Sequence, residues 1–205
     1  MGLDCVEVDV KISKDNIPLL IHDDTLDRTT NGSGLLCDFT FDELMNFDAG
    51  YFFYNSKKNI KIPSLKDVLK EVINNQKSLN IEMKPNKGLE KLNVSKIVEQ
   101  FKDCFFEKVF FSSFDLESCI NLKEKLPKAK CGFLNHDFSR INIKDTINIC
   151  KKYDFFSCGL AYKTFSSEIA NEFKNHNILT TVYSEKNISI NDANSLWKSG
   201  VASIF

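Results

Sequence analysis

Short runs in which apolar and polar residues alternate are separated along this chain by longer stretches with apolar residues at helical spacing. A period of two predicts β-strands, and apolar residues three and four positions apart predict helices that bury one face. The second strand-like run follows the first so closely that we expect a hairpin-like extension rather than a strand of the main sheet. The predicted strands are 5–12, 18–22, 79–84, 108–112, 130–134, 155–161, 178–183 and 201–205.

The predicted helices carry their own start and stop signals. Thr40 with Glu43, and Ser64 with Asp67, have the spacing of a capping box, and Gly200 is expected to stop the last helix. Strands that alternate with helices favour repeated βα units around a parallel sheet, here of about seven strands. Besides the two capped helices, the predicted helices lie near 94–101, 115–125, 144–152, 166–175 and 191–198.

Composition limits the classes of protein that this chain can belong to. At 205 residues, with 42% hydrophobic and 27% charged residues, it is long enough for one domain with a substantial core. The net charge is −1 and the basic residues are scattered, which does not point to a nucleic-acid or anionic-membrane partner. No apolar run approaches the roughly 18–20 residues of a membrane span, so we expect none, and we expect a cytoplasmic location.

The cysteines and phenylalanines are interpreted as core residues. Seven cysteines form no C-x-x-C pair, and most have apolar neighbours in the sequence, which predicts buried free thiols in a reducing compartment. Eighteen phenylalanines are spread along the chain and are interpreted as bulky core filling. The cysteines are Cys5, Cys37, Cys104, Cys119, Cys131, Cys150 and Cys158.

Candidate chemistry begins on the first predicted strand. Glu7 and Asp9 are two residues apart, so their side chains point to one face, roughly 6–7 Å apart along the chain. Val6, Val8 and Val10 supply the apolar alternation, so the acidic face either lines the interior end of a barrel or faces solvent. Two carboxylates aimed at one point are costly unless a cation or a proton lies between them. The alternative is an ordinary exposed acidic pair.

A second pair of charged residues lies on the predicted strand 79–84. Glu82 and Lys84 alternate with apolar residues, so both face one way, and in a central strand unpaired charge on that face is not tolerated. Glu82 together with Glu7 and Asp9 would make a site of hard oxygen ligands, suited to Mg²⁺ or Ca²⁺ rather than zinc. The alternative is a buried Glu82–Lys84 ion pair without a metal.

The order of short motifs resembles that of the glycerophosphodiester phosphodiesterase family. The resemblance is dense between residues 2 and 84 and looser after 115. It opens with G-x-D-x-x-E-x-D-V-x-x-(S/T)-K-D from Gly2, followed by PLLIHDDTLDRTTNGSG from Pro18. Later motifs are FTFDELMNFDAG (39–50), KIPSLKDVL (61–69), LNIEMK (79–84), VFFSSFD (109–115) and GVASIF (200–205).

This resemblance implies a TIM (β/α)₈ barrel of the phosphodiesterase type, with its site at the carboxyl ends of the strands. It implies that Glu7, Asp9 and Glu82 bind one divalent cation, Mg²⁺ or Ca²⁺, that Lys84 contacts the phosphate, and that His22 is a catalytic histidine. The implied reaction is hydrolysis of a small-molecule glycerophosphodiester to an alcohol and sn-glycerol 3-phosphate. His136 and His176 lie outside the motifs and are interpreted as surface or packing residues.

The chain also departs from the family pattern. The family begins with a strand carrying His-Arg-Gly and then Pro-Glu-Asn, whereas here Met1 directly precedes Gly2, so we expect the first βα unit to be missing. The missing unit would carry one of two catalytic histidines, an arginine and a glutamate. The chain also ends within the last strand, which predicts a single domain over 1–205, incomplete at both ends. In the seventh strand the family commonly has Trp-Thr-Val-Asn, and this chain has 180–183 as TTVY, so an aromatic wall of the pocket is lost or altered.

These departures keep three functional hypotheses open. The first is the metal-dependent phosphodiesterase, with doubtful activity in this truncated form. The second is an inactive remnant that keeps a phosphate and metal pocket without turnover. The third is a related phosphodiesterase chemistry, such as cleavage of a phospholipid headgroup to a cyclic product. The preferred alcohol and the oligomeric state stay open.

Overall fold

The computed structural model of the chain describes residues 4–55, 58–101 and 107–205. The chain divides into two compact units, Met1–Val109 and Phe110–Phe205. None of the described helices is long and apolar enough to cross a bilayer. Cys104 lies outside the described residues, within the stretch 102–106.

The described residues of the first unit form three strands and three α-helices. Its strands are β1 (Cys5–Ile12), β2 (Pro18–Leu20) and β3 (Ser78–Met83). Its helices are α1 (Phe41–Leu44), α2 (Leu65–Asn74) and α3 (Glu90–Glu99). Strand β1 pairs antiparallel with β2 and parallel with β3. The expected hairpin of β1 and β2 is confirmed, but β2 also belongs to the sheet, as the neighbour of β1 at its edge.

Two helix starts in this unit follow the sequence signals. Thr40 and Glu43 form the complete capping box at α1, with each side chain bonded to the backbone of the other residue. Ser64 Oγ accepts the backbone N–H of Asp67 at 3.1 Å and caps α2. A separate apolar cluster fills the space under the long segment between β2 and α2. Its buried members are Leu19, Ile21, Leu26, Leu36, Leu44 and Ile62.

The second unit repeats strand and helix in strict alternation. Its strands are β4 (Val109–Ser113), β5 (Lys130–Asn135), β6 (Ser157–Ala161), β7 (Leu179–Tyr183) and β8 (Ser203–Ile204). Its helices are α4 (Leu116–Lys125), α5 (Ile143–Lys152), α6 (Ser167–Asn175) and α7 (Ile190–Lys198). Each strand pairs in parallel with the next, as βα units predict.

The cysteines fit the prediction of core thiols only in part. Cys119, Cys131, Cys150 and Cys158 are buried and free, and burial raises the pKa of the Cys119 thiol. Cys5, by contrast, is exposed. The prediction of a buried thiol is therefore wrong for Cys5.

Candidate active site

Three carboxylates from two strands lie together in the first unit. The parallel register places Asp9 of β1 opposite Glu82 of β3, and Glu7 lies two residues before Asp9 on the same face. One carboxylate oxygen from each residue lies within 4.8 Å of one oxygen from each of the other two. The structure therefore brings together the three residues that the sequence analysis named as candidate metal ligands.

Burial and mutual repulsion make this cluster costly in its fully ionised form. Burial, together with the charges of Asp9 and Glu82 and against the opposing effect of Lys84, raises the pKa of Glu7 to about 8. Burial also raises the pKa of Glu82, which is only 7% exposed. Glu7 Oε1 is buried and has no hydrogen-bond partner among the described residues. A buried carboxylate oxygen that accepts no hydrogen bond destabilises the folded state unless a ligand or a proton binds to it.

Lys84 follows β3 directly and places its positively charged ammonium group beside the cluster. Its backbone N–H donates to Val10 O at 3.1 Å, which holds the residue beside β1. Its Nζ lies 3.3 Å from Asp9 Oδ1 and 3.6 Å from Glu82 Oε1. The ion pair of the metal-free alternative is thus present, but one ammonium group faces three carboxylates. Lys84 alone does not neutralise the cluster.

His22 reaches the same region from the segment that follows β2. The backbone N–H of Ile21 donates to Asp9 O at 3.2 Å, so His22 comes next to the strand that carries the carboxylates. Its side chain is 56% exposed, and its Nδ1 lies 2.6 Å from Asp23 Oδ1. The charge of His22 is among the influences that lower the pKa of Glu82, as expected for neighbouring groups.

Asp23 and Arg28 orient this histidine, and the sequence analysis missed both. Arg28 donates from Nε and Nη2 to the two oxygens of Asp23, at 2.6 and 2.8 Å. These bonds, and the one to His22, hold the pKa of Asp23 well below its usual range. Because an ionised carboxylate only accepts hydrogen bonds, Nδ1 of His22 is the donor in its contact with Asp23.

A cavity of about 410 Å³ opens at this point. Lys11, itself 2% exposed, places its Nζ 2.5 Å from Asp24 Oδ1 at the wall of the cavity. A buried lysine paired with an acidic neighbour places a fixed ion pair at the wall of the cavity. The cavity is lined by Lys11, His22, Asp23, Asp24, Lys84 and Pro85.

The second unit has a cavity of its own at the carboxyl ends of β5, β6 and β7, with a volume of about 450 Å³. His136 follows β5 and places its Nδ1 2.7 Å from the Tyr183 hydroxyl at the end of β7. Tyr183 also packs edge-on against Phe114 at 5.1 Å. The sequence analysis gave His136 no role, although its place just after a strand is where barrel proteins carry site residues.

The βα repeat and the carboxylates on its strands define an α/β protein of the barrel class with a site suited to a divalent cation. Residues 1–205 match the glycerophosphoryl diester phosphodiesterase family over their whole length, and the chain belongs to that family. The suspected family is thereby confirmed. The roles of the individual site residues stay predictions.

Curated relatives carry the same family name. A glycerophosphodiester phosphodiesterase from Caldanaerobacter subterraneus is 36% identical over 135 residues, which is 65% of this chain and 56% of the relative. One from Bacillus altitudinis is 34% identical over 142 residues, or 66% of this chain and 56% of the relative. The matched region spans about half the length of these relatives.

Solved structures show the same fold. A phosphodiesterase from Oleispira antarctica, solved with the product sn-glycerol-3-phosphate, superposes with a TM-score of 0.89 at 26% identity. That match covers 100% of this chain and 81% of the other. A glycerophosphodiester phosphodiesterase from Agrobacterium tumefaciens superposes with a TM-score of 0.78 at 22% identity, covering 99% of this chain and 83% of the other. These likenesses confirm the predicted TIM-barrel class.

Proposed function

We propose that this chain hydrolyses glycerophosphodiesters to an alcohol and sn-glycerol 3-phosphate with the help of one divalent cation. The observation that carries the proposal is the cluster of Glu7, Asp9 and Glu82, which includes a buried oxygen without a hydrogen-bond donor. Family membership and the names of the relatives support the substrate class. The product bound to the Oleispira antarctica protein supports it as well.

The donor set fits Mg²⁺ or Ca²⁺. All three side chains offer carboxylate oxygens, which these hard cations prefer, and no sulfur or imidazole ligand is among them. Glu7, Asp9 and Glu82 would hold the ion, and their excess negative charge over Lys84 gives the reason to bind it. When bound, such an ion polarises a phosphoryl oxygen and neutralises developing negative charge.

The protein's own residues would perform the remaining steps. Lys84 Nζ, held between two carboxylates, would turn towards a phosphate oxygen and stabilise its charge in the transition state. His22 Nε2 would transfer a proton to or from a substrate oxygen, while Asp23 stabilises the charged imidazole. Arg28 would keep Asp23 ionised and in place.

A non-catalytic role in binding is the second candidate. His22 is the one histidine of the first unit, since His136 and His176 both belong to the second. A reaction that uses one histidine as base and another as acid would therefore find a single histidine in the unit that carries the carboxylates. In that case the site would bind a phosphate compound and a cation without turnover.

The test is ³¹P NMR of glycerophosphocholine incubated with the chain and Mg²⁺ or Ca²⁺, with and without EDTA. We expect sn-glycerol 3-phosphate to form only when the cation is present, and His22→Ala to reduce its rate by about 100-fold or more. A cyclic phosphate as the final product would instead favour the related phosphodiesterase chemistry.

Cation binding tests the candidate metal site directly, and together with turnover it separates the enzyme from the non-catalytic role. Isothermal titration with Mg²⁺ or Ca²⁺ should show binding that Glu82→Gln weakens by about 10-fold or more. Glu124→Gln, which changes an exposed carboxylate on α4, is the matched control and should leave binding unchanged. Binding without turnover would support the non-catalytic role. If the chain showed neither cation binding nor turnover, the proposal would be refuted.

A further inference from the structure

Four consecutive aromatic residues stand exposed in the first unit. Tyr51, Phe52, Phe53 and Tyr54 have exposed fractions of 40%, 57%, 85% and 50%. Aromatic side chains ordinarily bury most of their surface, and their exposure in one contiguous group marks an interaction site. Residues 51–54 are called the aromatic tip below.

The fold holds the base of this tip firmly. The buried Asp48 carboxylate accepts four backbone N–H groups on either side of the tip, at 2.7 to 3.0 Å. The donors are Gly50, Lys58, Asn59 and Ile60. A Cβ on Gly50 would lie 2.5 Å from Ile60 Cδ1, so a larger residue at this position would have to displace the Ile60 side chain. The exposed rings therefore belong to a braced structure.

The rings pack on one another and leave space beneath them. Tyr51 and Phe52 meet edge-on at 5.3 Å, and Phe53 and Tyr54 do so at 4.9 Å. Phe52, Phe53 and Tyr54 line an open cavity of about 590 Å³ together with Arg28. The tip is thus presented outwards, and its rings do not fill the interior.

The exposed area is too small for a stable protein partner. At about 200 Å² per aromatic side chain, the four exposed fractions amount to on the order of 450 Å². A stable protein interface buries about 800 Å² on each partner. A second copy of the chain docked on this tip would fall well short of that area.

The order of the four residues fits a lipid surface. Phe52 and Phe53 are flanked by Tyr51 and Tyr54, so two wholly apolar rings lie between two rings with hydroxyl groups. At a membrane interface, aromatic rings with a polar tip remain at the headgroups while apolar rings enter the acyl boundary. The exposed Lys58 follows the tip and complements the phosphates that all phospholipids carry.

We propose that the aromatic tip inserts into the headgroup region of a phospholipid bilayer and holds the protein at a membrane surface. Insertion would be driven by burial of the rings, because the net charge of −1 supplies no general attraction to anionic lipid. The proposal is independent of catalysis, since it uses none of the carboxylates or histidines of the candidate active site.

The test is co-flotation of the full chain with phosphatidylcholine vesicles. The unmodified chain should float with the vesicles, and Phe53→Ser should lower its partitioning by about 10-fold or more. Phe52→Ser, at a ring that is less exposed, should lower partitioning by a smaller factor. Phe53→Trp should retain it, since indole also suits the interface.

Ile190→Ser is the matched control, because Ile190 is 81% exposed but lies on α7, outside the tip. It should partition like the unmodified chain. Failure of the unmodified chain to float, or equal losses in Phe53→Ser and Ile190→Ser, would overturn the proposal. Sedimentation velocity without vesicles gives a further check. If the unmodified chain were a dimer and Phe53→Ser made it a monomer, a second copy would cover the tip and the proposal would be overturned.

Discussion

Replacing Glu7 by glutamine should stabilise the metal-free protein at alkaline pH. Because its pKa rises from 4.5 to about 8 in the fold, Glu7 carries a proton in the folded state across that interval and loses it on unfolding. The folded state then binds more protons than the unfolded one, so stability is highest below about pH 4.5 and falls as pH rises through about 8. Glutamine copies the neutral form of the side chain at every pH.

The size of the effect follows from burial and from the neighbouring charges. The difference between 4.5 and about 8 corresponds to at most about 5 kcal/mol in the free energy of unfolding. The side chain of Glu7 is only partly buried, and the cluster shares its protons with Asp9 and Glu82, so we expect about 2 kcal/mol. Glu7→Gln should therefore raise the free energy of unfolding by that amount at about pH 9 and change it little at about pH 5.

The assay is urea unfolding followed by circular dichroism at both pH values in EDTA, with Glu124→Gln as the exposed control. Equal pH dependence in the Glu7→Gln variant and the unmodified chain would refute the electrostatic reasoning. With added Mg²⁺ or Ca²⁺ the unmodified chain should instead be more stable than Glu7→Gln. A ligand that binds the folded state stabilises it, and the variant has lost one of the oxygen ligands. The same substitution should thus raise the free energy of unfolding relative to the unmodified chain without the cation and lower it when the cation is present.

Three further substitutions test the fold and the positioning of the histidine. Phe173→Ala should cost about 3–5 kcal/mol in urea unfolding, because the ring is fully buried, whereas Ile190→Ala at an exposed site should cost little. Thr40→Ala removes the capping box of α1 and should lower stability by about 1 kcal/mol in the same assay. Asp23→Asn should lower kcat by about 10-fold while KM changes little, because the variant loses the carboxylate that orients the His22 ring. An unchanged kcat would show that Asp23 does not act through His22.

Strand parity explains why the acidic cluster could be predicted from the sequence. The spacing of Glu7 and Asp9 determines that they share a face, and a parallel neighbour in register places Glu82 opposite Asp9. The first fact follows from strand geometry alone once the strand is identified, whereas the register between β1 and β3 comes from the structure. The strand ends were less predictable, since β8 spans only Ser203–Ile204 within the expected 201–205.

Contacts made by loops could not be derived in this way. Asp23 and Arg28 are five residues apart in a segment without regular structure, so no period relates their side chains. The bond between His136 and Tyr183 joins residues 47 positions apart on different βα units. The helix α3 begins after Leu89, which makes no side-chain capping bond and so gives no start signal.

The charge balance of the cluster connects its geometry to its proposed chemistry. A buried ion pair formed for stability would need one acid for each base, and here Lys84 faces three carboxylates. The folded protein can relieve the excess by protonating Glu7, which the raised pKa reflects, or by binding a cation. A divalent ion supplies two positive charges and also completes the unpartnered Glu7 oxygen. Because proton and cation would compete for the same carboxylate, apparent cation affinity should rise with pH up to about 8.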